Sequence, residues 1–251
     1  MRIKVLSFNI RSMDDGEENT IRQRAPRLAI VISRYNPDII GFQEFTPSWE
    51  EYIDKYYLDE YAFFNKYRTD IGWIESAPIM WKKDRFDCIK QGYFWLSDTP
   101  TIMSGGWDAL GHNRICLYVL LKDKRSGKIF VYLNTHFGFG EDNQIKSVKL
   151  IHRYMDEMGK YPIFITGDFN MVPSSKPYSE MIKEVLDVND RTIKDKSSTY
   201  HGYHPQQNLD AHIDYCFVSK NIVPIAFKII KDLVDNKFPS DHYGIYAELQ
   251  C

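Results

Sequence analysis

The chain has 251 residues, 43% of them apolar and 15% aromatic, and its 32 basic against 34 acidic side chains leave a formal net charge of −2. That length supports a substantial core, and the near-neutral balance excludes the broad positive field on which a nonspecific nucleic-acid binder depends. It does not exclude an enzyme that holds one phosphate group through a metal ion and a few local donors.

The N-terminus enters an alternating strand at once, Ile3–Ile10. Thr20–Tyr35 follows as a helix, with Ile21, Leu28, Ile32 and Tyr35 at helical spacing and Pro37 ending it. After a strand at Asp38–Gln43 comes "SWEEYIDKYY", where Ser48 with Glu51 three positions on predicts a capping box. Strands are expected at Gly72–Trp81, Asp87–Leu96, Ile115–Lys122 and Ile129–Thr135, the last two joined by a turn at Ser126-Gly127. A helix over Gln144–Met158, a strand at Ile163–Thr166 and a helix over Tyr178–Leu186 come next. Strands at Ile213–Val218, Ala226–Leu233 and Gly244–Leu249 complete the order.

So many strands exceed one simple sheet, and crossover connections mixed with hairpins predict packed sheets with helices outside them. No repeat or linker-like tract interrupts the chain, so residues 1–251 read as a single domain. Cys88, Cys116, Cys216 and Cys251 form no CxxC pair, which argues for buried free thiols rather than a zinc site or a disulfide framework. With no signal-peptide core and no apolar run of about 18 residues, a cytoplasmic monomer without membrane attachment is expected.

Several apolar strands share one feature: a polar residue at or near one end that packing does not require. "LSFNI" carries Asn9, "IIGFQE" finishes on Glu44, and "VYLNTH" finishes on Asn134 and His136. "FITGDFN" ends on Asp168 and Asn170, where Gly167 is expected to turn the chain. "HIDYCFVS" places Asp214 near a strand start, and "SDHYG" places Asp241 and His242 before the last strand. Each alone is a turn or cap residue. Together, carboxylates and amides with two histidines are what a hard cation and a phosphate require, because Mg²⁺ takes oxygen ligands and is bound by one or two carboxylates plus substrate phosphate.

"SFNIR", "GFQE", "NTHF", "GDFN", "HIDYCFVS" and "SDHYG", in that order from Lys4 to Leu249, resemble the endonuclease/exonuclease/phosphatase superfamily, the deoxyribonuclease I-like fold. "PIMWKKDRFD", "FWLSDTP", "GGWDALGHNRIC" and "TYHGY" are similar to a bacterial branch of metal-dependent hydrolases within it, with some likeness to deadenylase-type and nocturnin-like members. The resemblance implies an α/β (α+β) fold, a four-layer α/β/β/α sandwich of two packed mixed sheets flanked by helices, with the site at one end of the sheets.

It also implies roles. Glu44, Asn9 and Asp241 match the surroundings of a catalytic Mg²⁺, with Mn²⁺ an alternative. His242 matches the histidine beside the scissile phosphate, as general base or electrostatic clamp, and Asp214 the carboxylate that orients it. Asp168 matches the group that orients or deprotonates the attacking water, Asn170 a donor to the phosphate, and His136 a phosphate-contacting histidine. Asn134 would support His136 or its loop, and Glu75 either partners His136 or stands in solvent. Arg114 grips either a phosphate oxygen or a surface carboxylate, while His201 and Trp107, on glycine-containing loops, either shape access or anchor the loops.

The expected activity is hydrolysis of a phosphodiester by metal-assisted in-line attack of water. The substrate would be a nucleic-acid end, single-stranded nucleic acid, or a nucleotide-like or other small diester. A phosphomonoesterase acting on a sugar, inositol or nucleotide phosphate would use the same groups. A non-catalytic protein of this fold would be expected to have replaced Glu44, Asp168, Asn170 or His242, all of which are present.

Overall fold

The computed structural model describes residues 1–108, 110–207 and 210–251, so Ala109 in the "GGWDALGHNRIC" segment lies outside the described residues. One sheet contains β1 (Arg2–Asn9), β2 (Ile39–Gln43), β3 (Tyr61–Phe64), β4 (Ile79–Lys82), β11 (Val223–Ile230) and β12 (Gly244–Gln250), in the order β11-β12-β1-β2-β4-β3. The other contains β5 (Phe86–Trp95), β6 (Ile115–Asp123), β7 (Ile129–His136), β8 (Ile163–Asp168), β9 (Val185–Asp187) and β10 (Asp214–Ser219), in the order β5-β6-β7-β8-β10-β9. The helices are α1 (Ile21–Tyr35), α2 (Glu50–Tyr56), α3 (Glu141–Glu157) and α4 (Lys176–Met181).

Each sheet has one parallel pair at its centre, β1 with β2 and β7 with β8, and a parallel pair needs a crossover. α1 supplies one crossover and α3 the other. Because parallel strands run the same way, Asn9 is level with Gln43, and His136 with Asp168, at the C-terminal ends.

Three apolar clusters define the layers. Ile3, Val5 and Ile39 of the first sheet pack against Leu117, Val119, Phe130 and Phe164 of the second. Leu6, Phe8, Ile40 and Phe42 on the other face of the first sheet meet Leu28 and Ile32 of α1 and Ile53 of α2. Val131, Leu133 and Ile165 meet Val148 and Ile151 of α3 and Met181 of α4. Alternation along the central strands puts apolar groups on both faces, so each sheet buries one face on its partner and one on helices. The arrangement is the four-layer α/β/β/α sandwich of two mixed sheets. No helix among the described residues is long and apolar enough to cross a membrane.

α1 begins where Thr20 and Gln23 cap each other reciprocally, and ends at Asn36, which takes a left-handed φ of 45° before Pro37. The capping box at Ser48 is not formed. Pro47 starts a short 3₁₀ turn over Pro47–Trp49, which places Ser48 inside that turn, and α2 starts at Glu50 without a side-chain cap. The strand expected from Gly72 begins only at Ile79. Gly72 has φ 71° and Pro78 has no N–H to donate, so residues 72–78 run as a loop. The helix expected to reach Leu186 stops at Met181, and Val185–Asp187 pairs with β10 as a short edge strand. The turn at Ser126-Gly127 is present, with Gly127 at φ 73°. Of the four free cysteines, Cys116 and Cys216 are buried as expected, whereas Cys88 is exposed and Cys251 half-buried.

Candidate active site

The faces that the two sheets turn toward each other change character along the strands. On β7 the same face carries Phe130, Tyr132, Asn134 and His136 in succession; on β8 it carries Phe164, Thr166 and Asp168, and on β1 Val5, Ser7 and Asn9. Apolar side chains give way to a buried polar layer, and that layer to the candidate site.

The polar layer is a connected network in which Gln43 Oε1 alone of these side-chain atoms has no partner among the described residues. Gln43 Nε2 donates to Ser7 Oγ at 3.0 Å and to Asn134 Oδ1 at 2.8 Å, and Thr166 Oγ1 donates to Asn134 Oδ1 at 3.0 Å. Asn134 Nδ2 donates across the sheets to the carbonyls of Phe42 at 2.6 Å and Pro78 at 3.0 Å. Asn134 is fully buried and ties one sheet to the other, so it supports the strand that carries His136 and does not line the cleft. Gly41 makes room for it, since a Cβ there would stand 2.5 Å from Asn134 Oδ1. Gly167 also serves a close approach rather than a turn: β8 continues through it to Asp168, and a Cβ would meet the Thr135 carbonyl oxygen at 2.3 Å.

Above this layer, Asn9 Nδ2 donates to Glu44 Oε1 and to Asp168 Oδ2, each at 3.0 Å, and so links the ends of β1, β2 and β8. Glu44 Oε2 accepts from the backbone N–H of Ser12 at 2.9 Å and from its hydroxyl at 2.8 Å. Ser12 is held in turn by Arg24, a fully buried side chain of α1 whose guanidinium donates to the carbonyls of Ile10, Arg11, Met13 and Asn19. Arg11, Glu44 and Asn170 all have left-handed φ values, 62°, 58° and 49°. Such conformations in non-glycine residues persist where the surroundings enforce them, and they concentrate at functional sites.

His242 Nδ1 lies 2.9 Å from Asp214 Oδ2, and its Nε2 lies 3.8 Å from Asp168 Oδ2. Burial alone would strip the proton from this imidazole, but the charge of Asp214 and its hydrogen bond, with Asp168 and Asp241 nearby, raise the pKa to about 10. His242 is therefore a cation at neutral pH. Burial, reinforced by the charge of Asp214, pushes Asp168 up to about 7. A carboxyl in that range is matched to proton transfer at neutral pH. His136 behaves in the opposite way: burial, with Arg114 and Arg68 nearby, holds its pKa well below the usual value. It is neutral, and Asn170 Nδ2 donates to its Nε2 at 3.1 Å while also donating to the Phe137 carbonyl at 2.9 Å. The His136 proton accordingly sits on Nδ1, which is buried without a partner among the described residues.

The donors also fit a divalent cation. Burial and then the charge of Glu44 raise the pKa of Asp241, while Glu44, although buried, is held below its usual range by the Ser12 hydrogen bonds and the charge of His242. A bound cation would relieve that crowding of carboxylates, and its preference for oxygen ligands matches Glu44, Asp241 and Asn9. Ligand atoms of Asp168, Asp214 and His242 also lie within 4.8 Å of one another. There His242 is itself cationic, and a protonated imidazole cannot ligate a metal ion, so its Nε2–H is left to meet an anionic oxygen.

Glu44, His136, Asp168, Asn170, Asp241 and His242 line a cleft of about 430 Å³ together with Arg11, Ser12, Arg68, Trp73, Glu75, His112, Arg114, Phe139 and Tyr200, and Asn9 and Asp214 support them without lining it. Arg114 is buried and pairs with Asp108 at 3.0 Å, so its carboxylate partner is internal rather than on the surface. Glu75 is buried too, 2.9 Å from Arg68 Nη1, and this ion pair replaces the expected contact with His136. His201 does not line the cleft. It is buried between Phe238 and Tyr243, with ring centroids at 4.3 and 4.2 Å, and Tyr203 N donates to its Nδ1, which makes it a loop anchor rather than a substrate contact. Trp107 donates to Asp98 at 3.0 Å and likewise anchors its loop. Sequence reasoning missed Ser12, Arg24, Arg68, Trp73, Asp108, His112, Phe139 and Tyr200. All but Arg24 stand outside the strands and helices, where no periodic pattern marks them. Arg24 carried a signal, a charged residue on the apolar face of an amphipathic helix.

A model described as the Endonuclease/Exonuclease/phosphatase family matches residues 6–242. Among solved structures, an endonuclease/exonuclease/phosphatase from Bacteroides vulgatus is 28% identical, covering 100% of this chain and 99% of its own, with a TM-score of 0.91. A mannosyl-6-phosphatase from Bacteroides thetaiotaomicron is 27% identical over 99% of this chain and 100% of its own, with a TM-score of 0.88. Tyrosyl-DNA phosphodiesterase 2 from Bos taurus is 21% identical over 263 residues, 98% of this chain and 68% of that protein.

Proposed function

The chain belongs to the endonuclease/exonuclease/phosphatase family, whose members are hydrolases of phosphoester bonds and generally depend on a divalent metal ion; from that premise we propose that residues 1–251 form one Mg²⁺-dependent catalytic unit that hydrolyses a small phosphate monoester. The observation that carries the hydrolytic reading is Asp168, buried, raised to about 7 and fixed by Asn9 and Asn170 opposite a cationic His242.

In this reading Asp168 accepts a proton from the attacking water as its oxygen adds to phosphorus in line with the departing alcohol. Asn9 and the Asn170 backbone N–H hold the carboxylate, so the water meets a fixed acceptor. His242 presents its Nε2–H to a phosphoryl oxygen, with Asp214 keeping the imidazole charged and oriented. Asn170, whose two amide hydrogens go to His136 Nε2 and the Phe137 carbonyl, fixes the neutral His136 ring beside the reacting groups. Mg²⁺ held by Glu44, Asp241 and Asn9 would act as a Lewis acid on the phosphoryl group and neutralise the leaving oxygen.

Two features favour a monoester over the diester expected from sequence. The cleft, at about 430 Å³, has the size of a small-molecule site. Its three arginines are each neutralised, Arg11 by Asp15, Arg68 by Glu75 and Arg114 by Asp108, so among the described residues that line it no unpaired arginine is left for a polyanion to follow. The likeness to a mannosyl-6-phosphatase over nearly the whole chain supports the same choice.

The test is phosphate release from a hexose 6-phosphate, and release of product from a generic diester, with Mg²⁺ and with EDTA. Monoester turnover that EDTA abolishes is expected, and Asp168→Asn should lower kcat by about 10²–10³-fold. Turnover of the diester alone would return the substrate to nucleic-acid ends or nucleotides, and undiminished turnover by Asp168→Asn would overturn the site.

A further inference from the structure

The cleft is lined in part by aromatic groups open to solvent. Trp73 and Phe139 both line it and remain about half exposed, at 47% and 46%, and His112 stands 6.3 Å from the Trp73 ring. Neither aromatic is needed to close a core. Beneath them lie the Arg68–Glu75 and Arg114–Asp108 pairs, donors and acceptors held side by side in fixed orientation.

Asp108 holds this region together. Its Oδ1 accepts the backbone N–H of Leu110 at 3.0 Å and of Phe139 at 3.2 Å, while its Oδ2 pairs with Arg114 at 3.0 Å and faces His112 at 3.6 Å. One buried carboxylate therefore fixes two separate rim loops. Burial works against its charge, but the Leu110 N–H, Arg114 and the Phe139 N–H outweigh it and keep the Asp108 pKa below the usual range. The Trp73 loop is held independently: Arg68 reaches the Trp73 carbonyl at 3.4 Å, and the Arg68 carbonyl accepts from Trp95 Nε1 at 2.9 Å and from Asn113 at 3.2 Å.

We infer that Trp73, Phe139 and the Arg68–Glu75 pair form a subsite for the alcohol half of the ester, built for a cyclic polyol, with Asp108 as its positioning residue. The inference rests on the phosphoesterase reading and adds which residues choose the substrate. A pyranose ring offers an apolar C–H face to an aromatic plane and vicinal hydroxyls at its edge, and those hydroxyls need adjacent donors and acceptors. An aromatic face beside two neutralised arginine–carboxylate pairs supplies both, whereas a second phosphate would call for unpaired cations.

The experiment uses the full chain with Mg²⁺ and compares a hexose 6-phosphate, AMP and glycerol 3-phosphate, the last having the phosphate without the ring. Trp73→Ala should raise KM for the hexose phosphate about tenfold, with kcat within about twofold and glycerol phosphate nearly unaffected. Asp108→Asn should move the same KM in the same direction, a split that a general loss of fold would not give. Equal changes for all three esters, no change for any, or an effect confined to AMP would overturn the inference. If the unaltered protein turns over none of them, the phosphoesterase reading falls, and calorimetric titration with the hexose phosphate decides the rest. Binding that Trp73→Ala weakens keeps the subsite, and absence of binding removes it.

Discussion

At the floor of the cleft the functional groups stand at strand ends or within three residues of one, whereas at its rim they stand on loops. Asn9, His136, Asp168 and Asp214 are the terminal residues of β1, β7, β8 and β10, and Glu44 directly follows β2. Trp73, Asp108, His112 and Phe139 belong to connections between strands and helices. Strand ends inherit the position of a packed sheet, and Asn9, Ser12 and the Asn170 N–H then only orient the carboxylates that stand there. The rim has no sheet beneath it, and Asp108 and the Arg68–Glu75 pair hold its loops in place. A division follows: the floor suits the part of the reaction that demands fixed geometry, and the rim the part that tells one alcohol from another.

The largest effect should come from the floor. His242→Ala removes a cation held against the phosphate and should lower kcat by about 10²–10³-fold, with KM changed much less. Initial-rate kinetics on the monoester read both values. If this variant instead raises KM and spares kcat, floor and rim do the same kind of work and the division fails.

Asn134→Ala probes what lies beneath the floor. Asn134 accepts from Gln43 and Thr166 and donates to two carbonyls, all buried. Its loss removes four buried hydrogen bonds, although Gln43, Thr166 and the Pro78 carbonyl each keep one other partner, and should reduce stability by about 2–3 kcal/mol, read as an earlier midpoint in urea unfolding. Activity per folded molecule should fall far less than with His242→Ala. A variant of unchanged stability with lost turnover would return Asn134 to the substrate.

The same division accounts for what the sequence made legible. An acid or amide that interrupts an apolar alternation is conspicuous, so Asn9, Glu44, Asp168, Asp214 and His242 could be picked out before any contact was known. Period-two alternation also assigned most strands, because a buried strand announces itself. It could not separate Asn134 from His136, two residues on and on the same face, since depth in the sandwich depends on the partner sheet. It read residues 72–78 as strand because Trp73 and Ile74 look like core. The short edges β3 and β9 were missed because three or four residues carry too little pattern. The other rim residues had no pattern at all: Asp108 is one aspartate in a loop until Leu110, Phe139 and Arg114 are seen around it.

The remaining effect is expected in how the stability of the metal-free protein depends on pH. His242 has a pKa of about 10 when folded, above the ~6.5 of an unperturbed histidine. A raised pKa means that the folded state binds the proton more tightly than the unfolded one. Its stabilising contribution is therefore complete below about pH 6.5 and is lost as pH rises through about 10. In EDTA, the urea midpoint should decline across that window. Asp214→Asn removes the charge chiefly responsible, so its midpoint should start lower and decline less. Parallel curves would mean that Asp214 does not hold the His242 proton, and the floor would then lack the cation that sets it apart from the neutralised arginines of the rim.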